Sequence, residues 1–172
     1  MVGLFQLNVH TPIAAMQHVL PAMLERDHGT IINVASVAAF TTHPFMCHYH
    51  ASKAALANFS ESLRLELKPT GINIVTVYPG PIHTAMADRN FDQLENISAA
   101  TVPTGDTQTL ARLVRRAYQN ERARVIYPGF YRLAWWLPGI ARLGVQVVRA
   151  EVGGDETPLL PGDREVIEPQ ED

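Results

Sequence analysis

The sequence predicts an α/β chain with a partial doubly wound parallel sheet of about three strands and flanking helices. Short runs rich in β-branched residues alternate with longer runs in which apolar residues recur every three or four positions. Strands that alternate with helices pair in parallel, and right-handed crossovers are expected. A composition of 47% hydrophobic and 18% charged residues is ordinary for a globular protein.

The first helix is predicted over residues 3–26, where one face is apolar. Pro12 and Pro21 interrupt its pattern and are expected to kink it. Gly29 is the predicted C-cap. The first strand, over residues 30–35, is apolar on both faces, which is typical of a parallel strand covered by helices.

The remaining predicted elements are a helix over residues 49–67, a strand over 72–78, a helix over 106–120 and a strand over 124–127. The helix over 49–67 is expected to bury Ala54, Leu56, Phe59, Leu63 and Leu67. Asp106 or Thr107 is the predicted N-cap of the helix that follows. The intervening loop over 79–105 is long for a compact domain, and such loops usually bind ligands.

The last part of the chain changes character. Residues 130–148 are apolar and aromatic, and the residues predicted to share one helical face are Trp136, Ile140, Leu143 and Val147. Charged residues and a proline within the run argue against a membrane span. Core packing is the default for Trp135 and Trp136; pocket closure, a dimer contact and a peripheral membrane contact stay open. We expect one domain over 1–150 and a disordered acidic tail over 151–172.

Bulk properties exclude some functions. A net charge of −3 and a pI near 6.1 give no basic surface for nucleic acid. A single cysteine, Cys47, rules out an internal disulfide and suits a reducing cytoplasm. The N-terminus lacks the basic stretch of a signal peptide. These features predict a cytoplasmic protein.

The pattern of three residues, Ser36, Tyr49 and Lys53, predicts acid/base chemistry at a ligand site. Tyr49 and Lys53 lie four positions apart at the start of a predicted helix and therefore share one face. A lysine ammonium beside a phenol favours the phenolate, so Tyr49 is a candidate general acid/base. Ser36 closes the strand over 30–35, and α/β folds bind ligands at the carboxyl ends of their strands.

These residues carry a resemblance. Ser36, Tyr49 and Lys53, together with Asn8 and the run Pro79-Gly80-Pro81-Ile82-His83-Thr84, resemble the classical short-chain dehydrogenase/reductase family in order and spacing. The resemblance covers roughly residues 1–127. It implies a Rossmann-type fold and hydride transfer between NAD or NADP and a carbonyl/alcohol pair.

The resemblance also implies residue roles. Tyr49 exchanges the proton, Lys53 assists it and binds the nicotinamide ribose, Ser36 binds the substrate oxygen, and Asn8 anchors a relay water. The residues matched to the nicotinamide-binding loop are Pro79, Gly80, Ile82 and Thr84. The alternatives are a solvent-exposed tyrosine and lysine, a serine that caps a turn, and a plain Pro-Gly turn.

The glycine-rich phosphate turn of the resembled family is absent from the sequence. We therefore expect a fragment of a longer reading frame; the alternative is a half-domain that docks on another chain. In both cases the strand over 30–35 becomes an open apolar edge, and the chain alone binds cofactor poorly.

The remaining candidates are four histidines and a group of apolar residues. His43, His48, His50 and His83 flank the site without the spacing of a metal centre. The apolar residues Phe40, Pro44, Phe45 and Met46 predict a pocket for a hydrophobic carbonyl substrate. Rival functions are a non-catalytic interaction module and an epimerase or dehydratase of the extended type, and a homo-oligomer is possible.

Overall fold

The computed structural model of the chain describes residues 2–42, 46–82, 104–137 and 139. In order, the elements are α1 (Val2–Phe5), a π-helical turn (Gln6–His10), α2 (Thr11–Glu25), β1 (Gly29–Val34), a 3₁₀ turn (Val37–Ala39), α3 (Cys47–Glu66), β2 (Ile72–Pro79), α4 (Thr107–Gln119), β3 (Arg124–Tyr127) and α5 (Tyr131–Trp136).

The three described strands form one parallel sheet in the order β1-β2-β3. The register places Val34 beside Val77 and Thr76 beside Arg124. Helices lie on both faces of the sheet. The predicted α/β class with a partial doubly wound sheet is therefore confirmed, and β3 has the predicted bounds.

Successive side chains of β2 point to opposite faces of the sheet. Ile74 packs in a cluster with Leu63 of α3, whereas Val75 and Val77 pack in a cluster with Leu113 of α4. The two crossovers are β1–α3–β2 and β2–α4–β3. Both step across the sheet in the same direction, but α3 and α4 lie on opposite faces, so the two crossovers have opposite hands. The expectation that both are right-handed is wrong. The connection to α4, over residues 80–106, is long enough to reach either face.

One partly buried carboxylate joins three elements. Glu61 of α3 accepts hydrogen bonds from Arg64 and from both Nε and Nη2 of Arg124, the first residue of β3. The fully buried Tyr78 of β2 donates its hydroxyl to the same carboxylate at 3.4 Å. Burial, followed by the charge of Glu61, raises the pKa of the Tyr78 phenol above its ordinary value.

The first predicted helix is interrupted by the π-helical turn just ahead of Pro12. Proline has no N–H, so the Asn8 carbonyl receives no α-helical hydrogen bond from residue 12. The hydrogen bonds here join residues five apart instead of four: the Thr11 N–H donates to the Gln6 carbonyl. Pro12 thus changes the kind of helix, whereas Pro21 stays inside α2.

The predicted C-cap of this helix is wrong. Arg26 is the capping residue, and Asp27 takes the left-handed conformation with φ 48°. An aspartate tolerates this conformation better than most residues. Its carboxylate accepts the Gly71 N–H at 2.7 Å, and a Cβ on Gly71 would overlap the Asp27 carbonyl. Gly29 instead begins β1.

Helix α3 buries a more polar face than predicted. Leu56 and the adjoining Leu67 are buried as expected, but Ala54, Phe59 and Leu63 are only partly buried. The other fully or nearly fully buried positions are Ser52, Ala57 and Ser60. For α4, Asp106 is confirmed as N-cap, since its carboxylate accepts the Thr109 N–H at 2.8 Å.

Strand β1 lies at the edge of the described sheet, as expected. Ile32 and Val34, which lie on the same face of the sheet as Val75 and Val77, are 40% and 55% exposed. Ala35, just after β1, donates its N–H to the Val77 carbonyl at 2.8 Å. Because peptide groups alternate along a strand, those of Val34 point away from β2 and toward the open edge.

The two C-terminal tryptophans differ in their exposure. Trp135 packs on Phe40 and Tyr78 with ring centroids 5.3 and 5.1 Å apart, while Trp136 is 77% exposed. Phe40 is therefore partly buried against the core. No helix in the described ranges is long and apolar enough to span a bilayer. The predictions that fall outside the described residues concern His43, Pro44, Phe45, His83, Thr84, residues 140–150 and the tail over 151–172.

Candidate active site

The first two turns of α3 carry Tyr49 and Lys53. The Lys53 ammonium lies 5.9 Å from the centroid of the Tyr49 ring and donates a hydrogen bond to the Val34 carbonyl at 3.1 Å. This carbonyl ends β1, two residues before Ser36. Lys53 thus connects the tyrosine to the strand end that bears the serine. Burial lowers the pKa of Lys53 from its ordinary value.

Ser36 is buried at the end of β1 and already has two partners. Its Oγ accepts the Ala38 N–H at 3.1 Å, and its hydroxyl donates to the Pro79 carbonyl at 3.3 Å. The alternative role of capping a turn is therefore observed. The hydroxyl bond is long, and rotation about the Cβ–Oγ bond can redirect its proton.

Asn8 lies in the π-helical turn and contacts the same part of α3. Its Nδ2 donates to the Ser52 hydroxyl at 3.1 Å, and Ser52 donates to the Tyr49 backbone carbonyl at 2.8 Å. The side-chain amide nitrogen of Asn8 is therefore occupied by the protein. Pro12 has no N–H and therefore cannot donate the α-helical hydrogen bond to the backbone carbonyl of Asn8.

Two further polar residues hold this region together: sequence reasoning missed Ser52, and it named His50 only as one of the histidines that flank the site. Ser52 has no exposed surface. His50 Nδ1 lies 2.8 Å from the Ala38 carbonyl, which ties α3 to the turn after Ser36. The available signal was that polar residues interrupt the buried face of α3, but the partner of Ser52 lies 44 residues away in sequence.

Some backbone groups of the loop after β2 form hydrogen bonds within the protein. Gly80 donates its N–H to the Tyr127 carbonyl at 2.7 Å, and a Cβ on Gly80 would meet the Tyr131 ring at 2.7 Å. Gly80 is thus required for packing. Ile82 pairs with Gly105 in a parallel bridge in which the Gly105 N–H bonds the Pro81 carbonyl. The N–H and C=O of Ile82 itself face away from that bridge.

This arrangement can be compared with the needs of a nicotinamide carboxamide, which offers both a donor and an acceptor. The outward N–H and C=O of Ile82 fit such a group. Pro79 has no N–H, and its carbonyl accepts from Ser36. Across residues 2–42, 46–82, 104–137 and 139, no three histidine, cysteine or acidic side chains are grouped to hold a metal ion.

Comparison with known proteins places the sequence pattern in a family. The family model described as short chain dehydrogenase matches residues 2–95, more than half of the chain. The chain belongs to the short-chain dehydrogenase family. The residues in this match include Asn8, Ser36, Tyr49 and Lys53.

Curated relatives agree with this membership. The chain is 33% identical over 123 residues to nodulation protein G of Rhizobium sp., which covers 70% of this chain and 50% of the relative. It is 35% identical over 130 residues to the uncharacterized oxidoreductase YbbO of Escherichia coli, covering 72% of this chain and 48% of the relative. The chain therefore spans about half the length of these relatives.

Solved structures share the fold. A short chain dehydrogenase from Burkholderia cenocepacia in complex with NADP superposes with a TM-score of 0.66 at 25% identity, covering 87% of this chain and 59% of the other. A short-chain dehydrogenase from Streptomyces avermitilis gives 0.63 at 26% identity, covering 86% and 58%.

Proposed function

We propose that the chain is the catalytic portion of an NAD(P)-dependent oxidoreductase that interconverts a carbonyl compound and its alcohol. One observation carries this proposal: Lys53 contacts both the Tyr49 ring and the carbonyl that ends β1, beside Ser36. Family membership and the NADP carried by the Burkholderia protein support the cofactor class. The choice between NAD and NADP stays open.

A bound nicotinamide cofactor supplies the hydride that reaches the carbonyl carbon. In the reducing direction the Tyr49 hydroxyl donates its proton to the carbonyl oxygen, which becomes the alcohol oxygen. The Ser36 hydroxyl turns from Pro79 toward that oxygen and stabilises the negative charge that develops on it. In the oxidising direction the same groups act in reverse.

Lys53 and Asn8 return the proton to Tyr49. The ammonium stabilises the phenolate left after proton donation, and the lowered pKa of Lys53 eases release of a proton from the ammonium. The Asn8 carbonyl, to which Pro12 cannot donate, holds a water molecule that links Lys53 to solvent. The Ile82 peptide groups pair with the carboxamide, and the Lys53 ammonium binds the nicotinamide ribose.

The substrate is proposed to be a hydrophobic ketone or aldehyde. Met46, at the start of α3, is exposed and offers an apolar contact near Tyr49.

A label-transfer experiment tests the function. The chain is incubated with acetophenone and with NADH or NADPH dideuterated at C4 of the nicotinamide, at about 1 mM because weak binding is expected. We expect deuterium at the carbinol carbon of the product alcohol. A product without deuterium, or no alcohol with either cofactor, contradicts the proposal.

The exposed edge of β1 supports a second candidate function, in which the chain pairs with a partner that completes cofactor binding. Ile32 and Val34 are exposed there, and the outward peptide groups of β1 offer hydrogen bonds to a further strand. Size-exclusion chromatography with the label-transfer assay separates the two candidates. Transfer by a monomer favours the first, and transfer confined to a larger species favours the second.

A further inference from the structure

We propose that Ser52 is a positioning residue of the active site. Its hydroxyl joins, through hydrogen bonds, the turn that carries Asn8 to the part of α3 that carries Tyr49 and Lys53. This inference rests on the proposed function for its meaning, but the contacts that carry it are independent of any reaction. Ser52 has no exposed surface, so its hydroxyl can act only through protein partners.

The hydroxyl of Ser52 satisfies both of its hydrogen-bonding roles across two elements. It accepts from Asn8 Nδ2 at 3.1 Å and donates to the Tyr49 carbonyl at 2.8 Å. The Tyr49 carbonyl is also the α-helical acceptor for the backbone N–H of Lys53. Ser52 therefore acts on the peptide unit that fixes the spacing between Tyr49 and Lys53, and a serine bond of this kind bends a helix locally.

The same helix contains a matched hydroxyl outside the site. Ser60 is also without exposed surface; it accepts from Asn33 Nδ2 at 2.9 Å and donates to the Leu56 carbonyl at 2.7 Å. Each serine thus joins a distant asparagine to a carbonyl of α3. The difference is location, since Ser60 lies two turns beyond the Tyr49–Lys53 pair.

This matched pair separates positioning from stability. Loss of either hydroxyl removes a hydrogen-bond partner of an asparagine side-chain amide, which costs stability. Only the loss of Ser52 releases Asn8 and alters the turn that bears Tyr49. A misplacement of catalytic groups by less than an ångström is enough to slow a reaction severely.

The experiment compares Ser52→Ala, Ser60→Ala, Asn8→Ala and the double variant Asn8→Ala/Ser52→Ala. The ring ¹³C–¹H resonances of tyrosine are recorded by NMR, and that of Tyr49 is assigned by its loss in Tyr49→Phe. Melting temperatures and label-transfer rates are measured on the same samples.

We expect the Tyr49 resonance to move in Ser52→Ala and to stay in place in Ser60→Ala, although both variants melt earlier. The label-transfer kcat is expected to fall about tenfold in Ser52→Ala with KM unchanged. Because the side chain of Asn8 acts through Ser52, while its backbone carbonyl is unchanged by either substitution, the double variant should lose no more than the larger single loss.

The inference is overturned if the Tyr49 resonance stays in place in Ser52→Ala, or moves equally in Ser60→Ala. Should Ser52→Ala fail to fold, Ser52→Cys keeps the shape with a weaker donor, and an intermediate movement of the resonance is then expected. The NMR comparison needs no turnover, so a chain without label transfer would refute the proposed function while still deciding the role of Ser52.

Discussion

At the scale of single residues, Lys53 holds a charge in a partly buried position. Its ammonium is partly buried, has the Val34 carbonyl as acceptor and contacts the Tyr49 ring. Burial penalises the charged form, which is why its pKa is lowered. A charge kept in this position at a stability cost is typical of a functional site.

The substitution Lys53→Met keeps the length of the side chain and removes its charge. We predict an unchanged or higher melting temperature, because the desolvation cost disappears and water can bond the edge carbonyl of Val34. The label-transfer rate should fall by about 100-fold through loss of the stabilising charge. The exposed Lys68→Met is the control, and equal rates in the two variants would remove Lys53 from the site.

At the scale of secondary-structure elements, Pro12 determines which backbone carbonyl loses its α-helical donor, and that carbonyl belongs to Asn8. It interrupts the ladder so that Asn8 lies in a π-helical turn, and such turns are frequent at functional sites. Pro21 also lies inside α2 but far from Asn8 in the helix.

The paired substitutions Pro12→Ala and Pro21→Ala test this role. Each restores an N–H and should raise the free energy of unfolding, by up to about 3 kcal/mol for a helix-interior proline. Only Pro12→Ala supplies a donor to the Asn8 carbonyl, so only that variant should slow label transfer. Urea unfolding and the transfer assay give both readings. A slower Pro21→Ala, or a Pro12→Ala with the wild-type rate, would count against the relay.

The sequence predicts the elements better than it predicts their contacts. The bounds of β3 and the N-cap Asp106 follow from local patterns, and the structure agrees. The hand of the crossover from β2 through α4 to β3 cannot be predicted from a local pattern, because it depends on which face of the sheet α4 covers. Ser52 and Ser60 also escape prediction, because a hydroxyl in a helix gives no sign of an asparagine partner elsewhere in the chain.

At the scale of the whole molecule, Glu61 joins α3 to β2 and β3 through Arg124 and Tyr78. This group gives stability a pH dependence. The folded chain keeps the Tyr78 proton above the ordinary tyrosine pKa of about 10, whereas the unfolded chain loses it there. The unfolded state then binds fewer protons, so the free energy of unfolding falls as the pH rises above about 10.

The substitution Tyr78→Phe should reduce this alkaline loss. One proton of difference corresponds to about 1.4 kcal/mol per pH unit. Urea unfolding at about pH 9 and about pH 11 should therefore show a smaller decrease for Tyr78→Phe than for the wild type. Tyr118→Phe, at an exposed position of α4, should behave as the wild type. Equal alkaline losses in all three proteins would contradict the role of Tyr78.

The central claim is that Tyr49 exchanges the proton of a nicotinamide-dependent reaction. The most direct measurement is the rate at which deuterium passes from C4-deuterated NADH or NADPH into the alcohol, compared between wild type, Tyr49→Phe and Tyr118→Phe. Loss of a general acid predicts a fall of about 10² to 10⁴-fold in Tyr49→Phe alone, with an unchanged melting temperature. Transfer at the wild-type rate without the Tyr49 hydroxyl would contradict the claim.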